Sequence, residues 1–238
     1  GRAEPPAEGV THLKDSGYLR VQRGELVVLI DVARIGPDYI PGHAHADTLS
    51  FELSLHGRRV IVNSGISQYG SGPQRQFERS TAAHSTLEVD GENSSEVWGG
   101  FRVARRARPV GLHVEEGPEA IIIRCSHDGY RWSRQNTIHS RDWRIENGTL
   151  SLTDRLSGRF GDAVSRIHLH PDFRAVGTGR EAVLLNHGLP SVRCALAVGQ
   201  LRLSEGQWYP RFNVSIPNVC VEIPMVKNGV TQLTIEWI

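Results

Sequence analysis

The sequence predicts an all-β protein, a large multi-layered antiparallel β-sandwich with few or no helices. Short apolar stretches recur about every ten residues and are bounded by Gly, Asn or Asp. In several of them, such as residues 150–153 and 166–170, apolar and polar side chains alternate, which is typical of a strand with one buried face. No long window repeats with the period of a helix. The number of strands, a dozen or more, exceeds what a small sandwich needs.

Tight turns divide these stretches into hairpins. Arg23-Gly24 and His56-Gly57 each separate two apolar stretches, and Asn147-Gly148 favours the primed turn that closes two-residue hairpins. The best helix candidate is the short segment 73–78, which begins with proline, a residue that the first turn of a helix tolerates. The expected strands are 17–22, 26–31, 50–55, 58–63, 86–89, 120–125, 130–139, 143–145, 149–154, 165–170, 181–186, 192–198, 219–223 and a final pair ending at 238.

Composition restricts the classes of function. A net charge of +1 in 238 residues gives no electrostatic case for binding nucleic acid. The three cysteines are far apart and form no CxxC pair, so we expect buried free thiols, with one disulfide plus one thiol as the alternative. No apolar run approaches the ~20 residues of a membrane helix. Residues 1–14 resemble a linker and start without an apolar signal region, which leaves 15–238 as the β domain.

The segment 41–91 contains four of the eleven histidines. His43 and His45 form a His-x-His pair, whose side chains would share one face of a strand. His84 is a candidate for a third imidazole, and Asn63 could offer an amide oxygen. Imidazole suits zinc and other late transition metals, although a carboxylate is the more usual oxygen ligand. The alternative is a set of hydrogen-bonded structural histidines, because this spacing is common.

A cupin also carries His-x-His after glycine, and that possibility fails on spacing. The cupin motif requires Glu three or four residues after the second histidine, where this chain has Thr48 and Leu49. The next glutamate, Glu52, comes too late.

Three segments stand out in this region: GHAHADTLSFELSLHGRRVIVNSG at 42–65, QYG at 68–70 and RSTAAHSTLEVDG at 79–91. Together they resemble the heparinase II/III-like polysaccharide lyases, the superfamily of heparinase II, heparinase III and the oligoalginate lyases. The resemblance implies a C-terminal β-sandwich that is normally paired with an (α/α) toroid domain, which this sequence does not include. It also implies β-elimination on a uronate-containing acidic polysaccharide, and a periplasmic or secreted location.

The resemblance assigns roles to four residues of the segment. It places His43 in the catalytic cleft, opposite a tyrosine and a histidine of the toroid domain. It implies a structural Zn²⁺ held by His45, Asn63 and His84, with Asn63 standing where the family has aspartate. Loss of that negative charge weakens the expected zinc site, and a metal-free, hydrogen-bonded cluster is the alternative.

Further residues around this segment are candidate substrate contacts. Tyr69, Arg75, Arg79 and Trp98 would line a groove, because arginine pairs with carboxylates or sulfates and tryptophan stacks on sugar rings. The alternatives are arginines in salt bridges and a tryptophan in the core. We expect Asp47 to orient a histidine ring as a hydrogen-bond acceptor.

Two polar patterns remain. Arg102, Arg106 and Arg108 alternate along a strand and form a basic stripe, which either meets an acidic glycan or is a solvated face. His168 and His170 form a second His-x-His pair, for which the structural interpretation is favoured because no third ligand is evident.

Three functions are compatible with these features. The favoured one is the C-terminal domain of a polysaccharide lyase, inactive without its toroid domain. The second is a non-catalytic module that binds an acidic glycan or packs against a partner domain. The third, a complete metal-dependent enzyme, is disfavoured because the predicted ligand set lacks a carboxylate.

Overall fold

A computed structural model of the chain describes residues 7–132, 136–186 and 192–237, and it confirms the all-β prediction. One short helix, α1 (Pro73–Glu78), occurs in these ranges, together with a 3₁₀ turn at Thr81–Ala83. The strands are β1 Gly9–Leu13, β2 Tyr18–Arg23, β3 Leu26–Asp31, β4 Phe51–Leu55, β5 Arg58–Val62, β6 Leu87–Val89, β7 Val97–Trp98, β8 Arg102–Val103, β9 Pro109–Glu116, β10 Ile121–His127, β11 Ile138–Glu146, β12 Thr149–Ser157, β13 Ala163–Leu169, β14 Arg174–Thr178, β15 Glu181–Leu185, β16 Val192–Leu196, β17 Arg202–Trp208, β18 Ile216–Pro224 and β19 Val230–Trp237.

Two large antiparallel sheets contain most of these strands. One has the order β1-β2-β3-β4-β5-β13-β18-β17, with β6 also paired to β13. The other has the order β14-β15-β16-β19-β12-β11-β10-β9. The hairpin β7-β8 stands apart from both. No helix within the described ranges has the length and apolar character needed to cross a membrane.

The two sheets pack their inner faces together around one apolar core. In β12 the residues alternate between buried and partly exposed, as the sequence pattern predicts. Trp143 of β11 and Phe51 of β4 are among the largest buried side chains, and they come from opposite sheets. Full burial of such a side chain contributes roughly 1.5–3 kcal/mol or more, so this interface is the main source of stability.

Several local predictions are confirmed. Asn147-Gly148 joins β11 to β12, and Gly148 has a φ of +73°, a conformation that glycine adopts without strain. The predicted helix 73–78 is α1. Cys125, Cys194 and Cys220 are free and buried, and burial raises the pKa of each thiol.

The N-terminal segment differs from its prediction. Strand β1 lies inside residues 1–14, which resemble a linker in the sequence, and it pairs antiparallel with β2. The sequence signal is weak because β1 is a short edge strand with mostly exposed side chains. The chain turns into β2 at Gly17, whose φ is +75° and where a Cβ would lie only 2.5 Å from Ala33 Cα.

The strand order of the first sheet places two long loops side by side, at the C-terminal ends of β3 and β5. Because β3, β4 and β5 are antiparallel neighbours, the loop 32–50 after β3 emerges beside the segment 63–86 after β5. Arg141 of the opposite sheet fastens both loops, since its Nη1 donates to Leu49 O at 3.0 Å and to Ser85 O at 2.8 Å. Leu49 is held in the left-handed region with φ +64°, which is uncommon for a side chain of this size.

Candidate active site and metal centre

His43 lies exposed on the loop 32–50, beside an aromatic cluster. Its Nδ1 lies 3.4 Å from the hydroxyl of Tyr69, and the two rings meet edge to face. Tyr69 in turn packs against Phe101 and Phe212, with ring centroids 5.4 and 4.7 Å away. The cluster restricts the orientation of the His43 ring, so one of its nitrogens is engaged by Tyr69 while the ring stays open to solvent.

Two residues after His43, the loop contributes to a group of three side chains that could hold a metal ion. His45, Asp47 and His84 each offer one ligand atom, and these three atoms lie within 4.8 Å of one another. The Nδ1 of His45 is 3.1 Å from Nε2 of His84. A tetrahedral zinc with ligand bonds of 2.0–2.1 Å would place ligand atoms roughly 3.3 Å apart, so only small side-chain shifts separate this arrangement from a metal site.

The hydrogen bonds of His84 leave a lone pair free for a metal. Its Nδ1 lies 2.7 Å from the carbonyl oxygen of Ser80, which can only accept, so Nδ1 carries the proton. In the neutral ring Nε2 is then unprotonated and directed towards His45. A backbone carbonyl that fixes the second nitrogen in this way is the usual support of a metal-binding histidine. Without metal, His45 Nδ1–H would donate to the same lone pair.

The electrostatic environment keeps the imidazole of His45 neutral. Burial first, then the neighbouring His84 and the guanidinium groups of Arg75 and Arg79, lower its pKa to about 2. Burial raises the pKa of Asp47, partly opposed by His84, and burial together with Asp47 raises the pKa of Asp31. A divalent cation would relieve the crowding of these carboxylates, and two imidazoles with a carboxylate are a suitable donor set for Zn²⁺.

Asn63 contacts the backbone, and Asp47 lies with the two histidines. The Oδ1 of Asn63 accepts a hydrogen bond of 2.8 Å from the backbone N–H of Ser85, so this amide supports the segment that carries His84. Asp47, which we expected only to orient a ring, contributes the carboxylate that groups with the histidines. The structure therefore supplies the negative charge that the set of His45, Asn63 and His84 lacks.

Arg79 does not fit its predicted role as a substrate contact. Its side chain is fully buried. The guanidinium donates to Ala44 O at 3.0 Å, Arg102 O at 3.0 Å and Gly99 O at 3.2 Å, and the carbonyl of Arg79 accepts from Ala46 N at 2.9 Å. Arg79 thus forms hydrogen bonds with the backbone on both sides of His45 and links this backbone to the loop 99–102.

Arg75 is buried in the same way and is likewise removed from the substrate contacts. It donates to Gly42 O at 3.4 Å and to Gly100 O at 3.3 Å, next to His43, and its guanidinium lies 5.5 Å from the ring centre of Tyr69. Both arginines hold the histidine loop in place. Sequence alone gives no signal for this, because the carbonyl acceptors belong to irregular loops.

The other two predicted contacts are on the surface. Tyr69 and Trp98 are each about half exposed, at 46% and 47%. The guanidinium of Arg102 stacks on Trp98 at 4.6 Å from the ring centre. Their role in binding substrate stays a prediction.

A groove of about 890 Å³ runs along the loop 32–50 and includes His43, His45 and Asp47 in its wall. Sequence reasoning missed two exposed residues on this groove, Tyr39 and Ile40, which are 83% and 61% exposed. They stand alone in a Gly- and Pro-rich loop, so no periodic pattern marks them.

In the second histidine pair, the buried residue His168 has a structural role. His168 Nε2 lies 2.9 Å from Ala82 O, and burial lowers the pKa of this ring to about 4. His170 stacks edge to face with Trp208 and lies 3.5 Å from Asp172. In the described ranges, neither residue joins a metal-binding group.

Comparisons with known proteins agree with this fold. The family model described as "Heparinase II/III-like, C-terminal" matches residues 5–235. Heparan sulfate lyase HepC from Pedobacter heparinus superimposes with a TM-score of 0.79 at 19% identity, covering 98% of this chain and 36% of that chain. A crystal structure of heparinase III gives a TM-score of 0.78 at 17% identity, covering 97% and 36%. No curated protein sequence matches the chain.

The structural likeness is below 25% identity and shows the shared fold, and the chain spans just over a third of the length of these two relatives. The match to the family model extends over nearly the whole chain. The chain therefore belongs to the heparinase II/III-like family, as its C-terminal β-sandwich domain.

Proposed function

We propose that this chain supplies one side of the active site of a polysaccharide lyase, which cleaves uronate-containing acidic polysaccharides by β-elimination. The observation that carries the proposal is the pairing of an exposed His43 with Tyr69, at the rim of a groove and two residues before the His45–Asp47–His84 group. The other side would come from an (α/α) toroid domain. The names of the relatives make heparan sulfate the first substrate to test.

In the reaction, a base removes the proton at C5 of the uronate, and the electron pair forms the C4–C5 double bond. The bond from C4 to the glycosidic oxygen breaks, and that oxygen takes up a proton from an acid. We assign the base and the acid to the toroid domain. His43 faces the substrate carboxylate and stabilises the negative charge that spreads onto it when C5 loses its proton.

The contact with Tyr69 determines which tautomer of His43 does this. If the hydroxyl of Tyr69 donates to Nδ1 across the 3.4 Å contact, the neutral ring carries its proton on Nε2. That N–H is then the donor available to a carboxylate in the groove. Tyr69 would therefore position His43 and not act as the base.

Zn²⁺ fits the group of His45, Asp47 and His84, and it would supply a structural cross-link between the two loops. The residues themselves fix the geometry: Arg79 holds the backbone around His45, and Ser80 O holds the ring of His84. His43 lies two residues from His45, so a rigid group of His45, Asp47 and His84 would keep His43 in place. A periplasmic or secreted location is part of the proposal and rests on the family resemblance.

The test compares this chain alone with the whole protein that includes the toroid domain. Each is incubated with heparan sulfate, hyaluronan and alginate, and the unsaturated uronate product is followed by its ultraviolet absorbance. We expect product from the whole protein and none from this chain alone. Product from this chain alone would show that the toroid is not required. Binding without product by the whole protein would favour a non-catalytic glycan-binding module.

A further inference from the structure

A second groove, of about 780 Å³, adjoins the histidine groove and has a strongly basic wall. The two grooves share the wall formed by residues 34–37. The second groove continues between that wall and the segment 104–108, and Trp132 stands at its side. Of the described lining residues, four are arginines, Arg34, Arg105, Arg106 and Arg108, and one is acidic, Asp38.

Two of the arginines are already paired, and this pairing shapes the groove. Arg106 lies 2.8 Å from Asp38 and also donates to the carbonyl of Ile35 at 3.3 Å, which ties the segment 104–108 to the shared wall. Arg105 pairs with Glu96 at 2.9 Å. Both contacts are at the surface and contribute little to stability.

The other two arginines present free guanidinium groups. Arg34 and Arg108 are exposed, and within the described ranges neither side chain has a hydrogen bond or an ion pair. An unpaired guanidinium is a fork of donors suited to the two oxygens of a carboxylate or sulfate group. Because these charges have no partner among the described residues, binding an anion there breaks none of the contacts that the structure describes.

The loop that carries Arg108 is held rigidly. Its backbone N–H donates to Asp128 Oδ1 at 2.8 Å, and the neighbouring Ala107, fully buried, donates to Ser95 Oγ at 2.8 Å. Asp128 begins the turn that leads to Trp132. The backbone that carries the charged group is therefore held by hydrogen bonds, which reduces the entropy lost when a ligand is bound.

Trp132 provides a flat apolar surface next to these charges. Its side chain is 63% exposed, which is unusual for a residue with so large an apolar area. An exposed indole flanked by free guanidinium groups suits a ligand that alternates sugar-ring faces with anionic substituents. Phosphate or sulfate alone would use the arginines and leave the indole unused.

We infer that the groove of Arg34, Arg108 and Trp132 is a binding subsite for an anionic oligosaccharide, which extends the histidine groove beyond the position of bond cleavage. The inference rests on the proposed function for the direction in which the oligosaccharide runs from one groove to the other, but the binding itself requires no catalysis. Arg34 and Arg108 contact carboxylate or sulfate groups, and Trp132 stacks on a sugar ring.

The test measures binding of two octasaccharides, one of heparin and one of hyaluronan, to this chain by titration calorimetry at several salt concentrations. The heparin probe carries sulfates and carboxylates, and the hyaluronan probe carries carboxylates only. In R34A/R108A we expect affinity to fall about tenfold and to depend less steeply on salt, because two exposed charges are gone. In W132A we expect about a fivefold loss with an unchanged salt dependence.

A matched control removes the same charge elsewhere. Arg174 and Arg202 are exposed strand residues outside both grooves, so R174A/R202A should bind like the wild type. Equal losses in the two double variants, no loss in R34A/R108A with either probe, or no binding by the wild-type chain would each overturn the inference. Loss of binding in R34A/R108A for one probe only supports it and identifies the anionic group.

Failure of this inference can be distinguished from failure of the proposed function. Elimination by the whole protein that persists after His43→Ala contradicts the proposed catalytic role and leaves the binding result intact. Normal binding by R34A/R108A, in a protein whose activity depends on His43, contradicts the subsite alone.

Discussion

The replacement Arg79→Lys separates the two roles considered for this residue. Lysine keeps the positive charge but offers a single ammonium group in place of the planar fork. The guanidinium now donates to the carbonyl oxygens of Ala44, Gly99 and Arg102 over 3.0–3.2 Å, and more weakly to that of Trp98 at 3.5 Å. An ammonium at this buried position reaches one of the three closer oxygens, and the other two lose their donor.

The cost follows from those two carbonyls. A buried acceptor left without a donor costs about 1–3 kcal/mol. Allowing for partial rehydration, we expect Arg79→Lys to lower the free energy of unfolding by about 2–4 kcal/mol. That corresponds to roughly 4–16 °C in Tm for a domain of this size.

The assay is urea unfolding followed by tryptophan fluorescence, with Arg193→Lys as the control. Arg193 is exposed and bridges Glu181 and Glu236 at the surface, so its replacement should change the unfolding free energy by less than about 0.5 kcal/mol. Hydrogen exchange at Ala46, whose N–H donates to Arg79 O, should also accelerate. An Arg79→Lys protein as stable as the control would refute the buried role and restore the substrate-contact interpretation.

Three further predictions concern the metal group and the core. Asp47→Asn should lower zinc affinity at least tenfold in equilibrium dialysis while Asn63→Ala keeps the zinc, and the opposite result would restore Asn63 as the ligand. Asp154→Asn should lower the free energy of unfolding in urea by about 3–5 kcal/mol, because the buried guanidinium of Arg141 loses its charge partner. A decrease under about 1 kcal/mol would contradict this. Burial lowers the pKa of His127 and His139 in the folded chain, so both rings bind protons more readily when the chain unfolds, and stability should fall with decreasing pH below about 6.5. Because burial holds the pKa of His127 well below its ordinary value, that ring should contribute about 1 kcal/mol of the loss between pH 6.5 and 5.5, and a flat profile would contradict this.

The architecture could be predicted from sequence because it depends on local, repeated signals. The alternation in β12 and the turn at Asn147-Gly148 state which face is buried and where the chain reverses. Strand β1 was missed because an edge strand with exposed side chains lacks that alternation. The exposed position of His43 agrees with the role that the family resemblance gives it, although that role itself stays a prediction.

The metal group and the arginines could not be predicted in the same way, because their partners are set by loop geometry. Arg79 was expected to contact substrate or to form a salt bridge, since nothing in the sequence shows that the carbonyls of residues 44, 99 and 102 surround it. Asn63 stands at the position expected for a ligand, but its amide is used by Ser85. Asp47 lies with His45 and His84 because the irregular loop 32–50 brings it there, and no periodic pattern in the sequence marks that loop geometry.

His43 is, in our proposal, the residue of this domain that stabilises the charge on the substrate carboxylate, and one replacement tests this most directly. His43→Ala is made in the whole protein, and the initial rate of unsaturated uronate formation from heparan sulfate is compared with that of His113→Ala. His113 is an exposed histidine on β9, outside both grooves. We predict that His43→Ala lowers kcat at least a hundredfold with little change in Tm, because the charge on the substrate carboxylate loses its donor. Rates that remain within a few-fold of the His113→Ala protein would contradict the account.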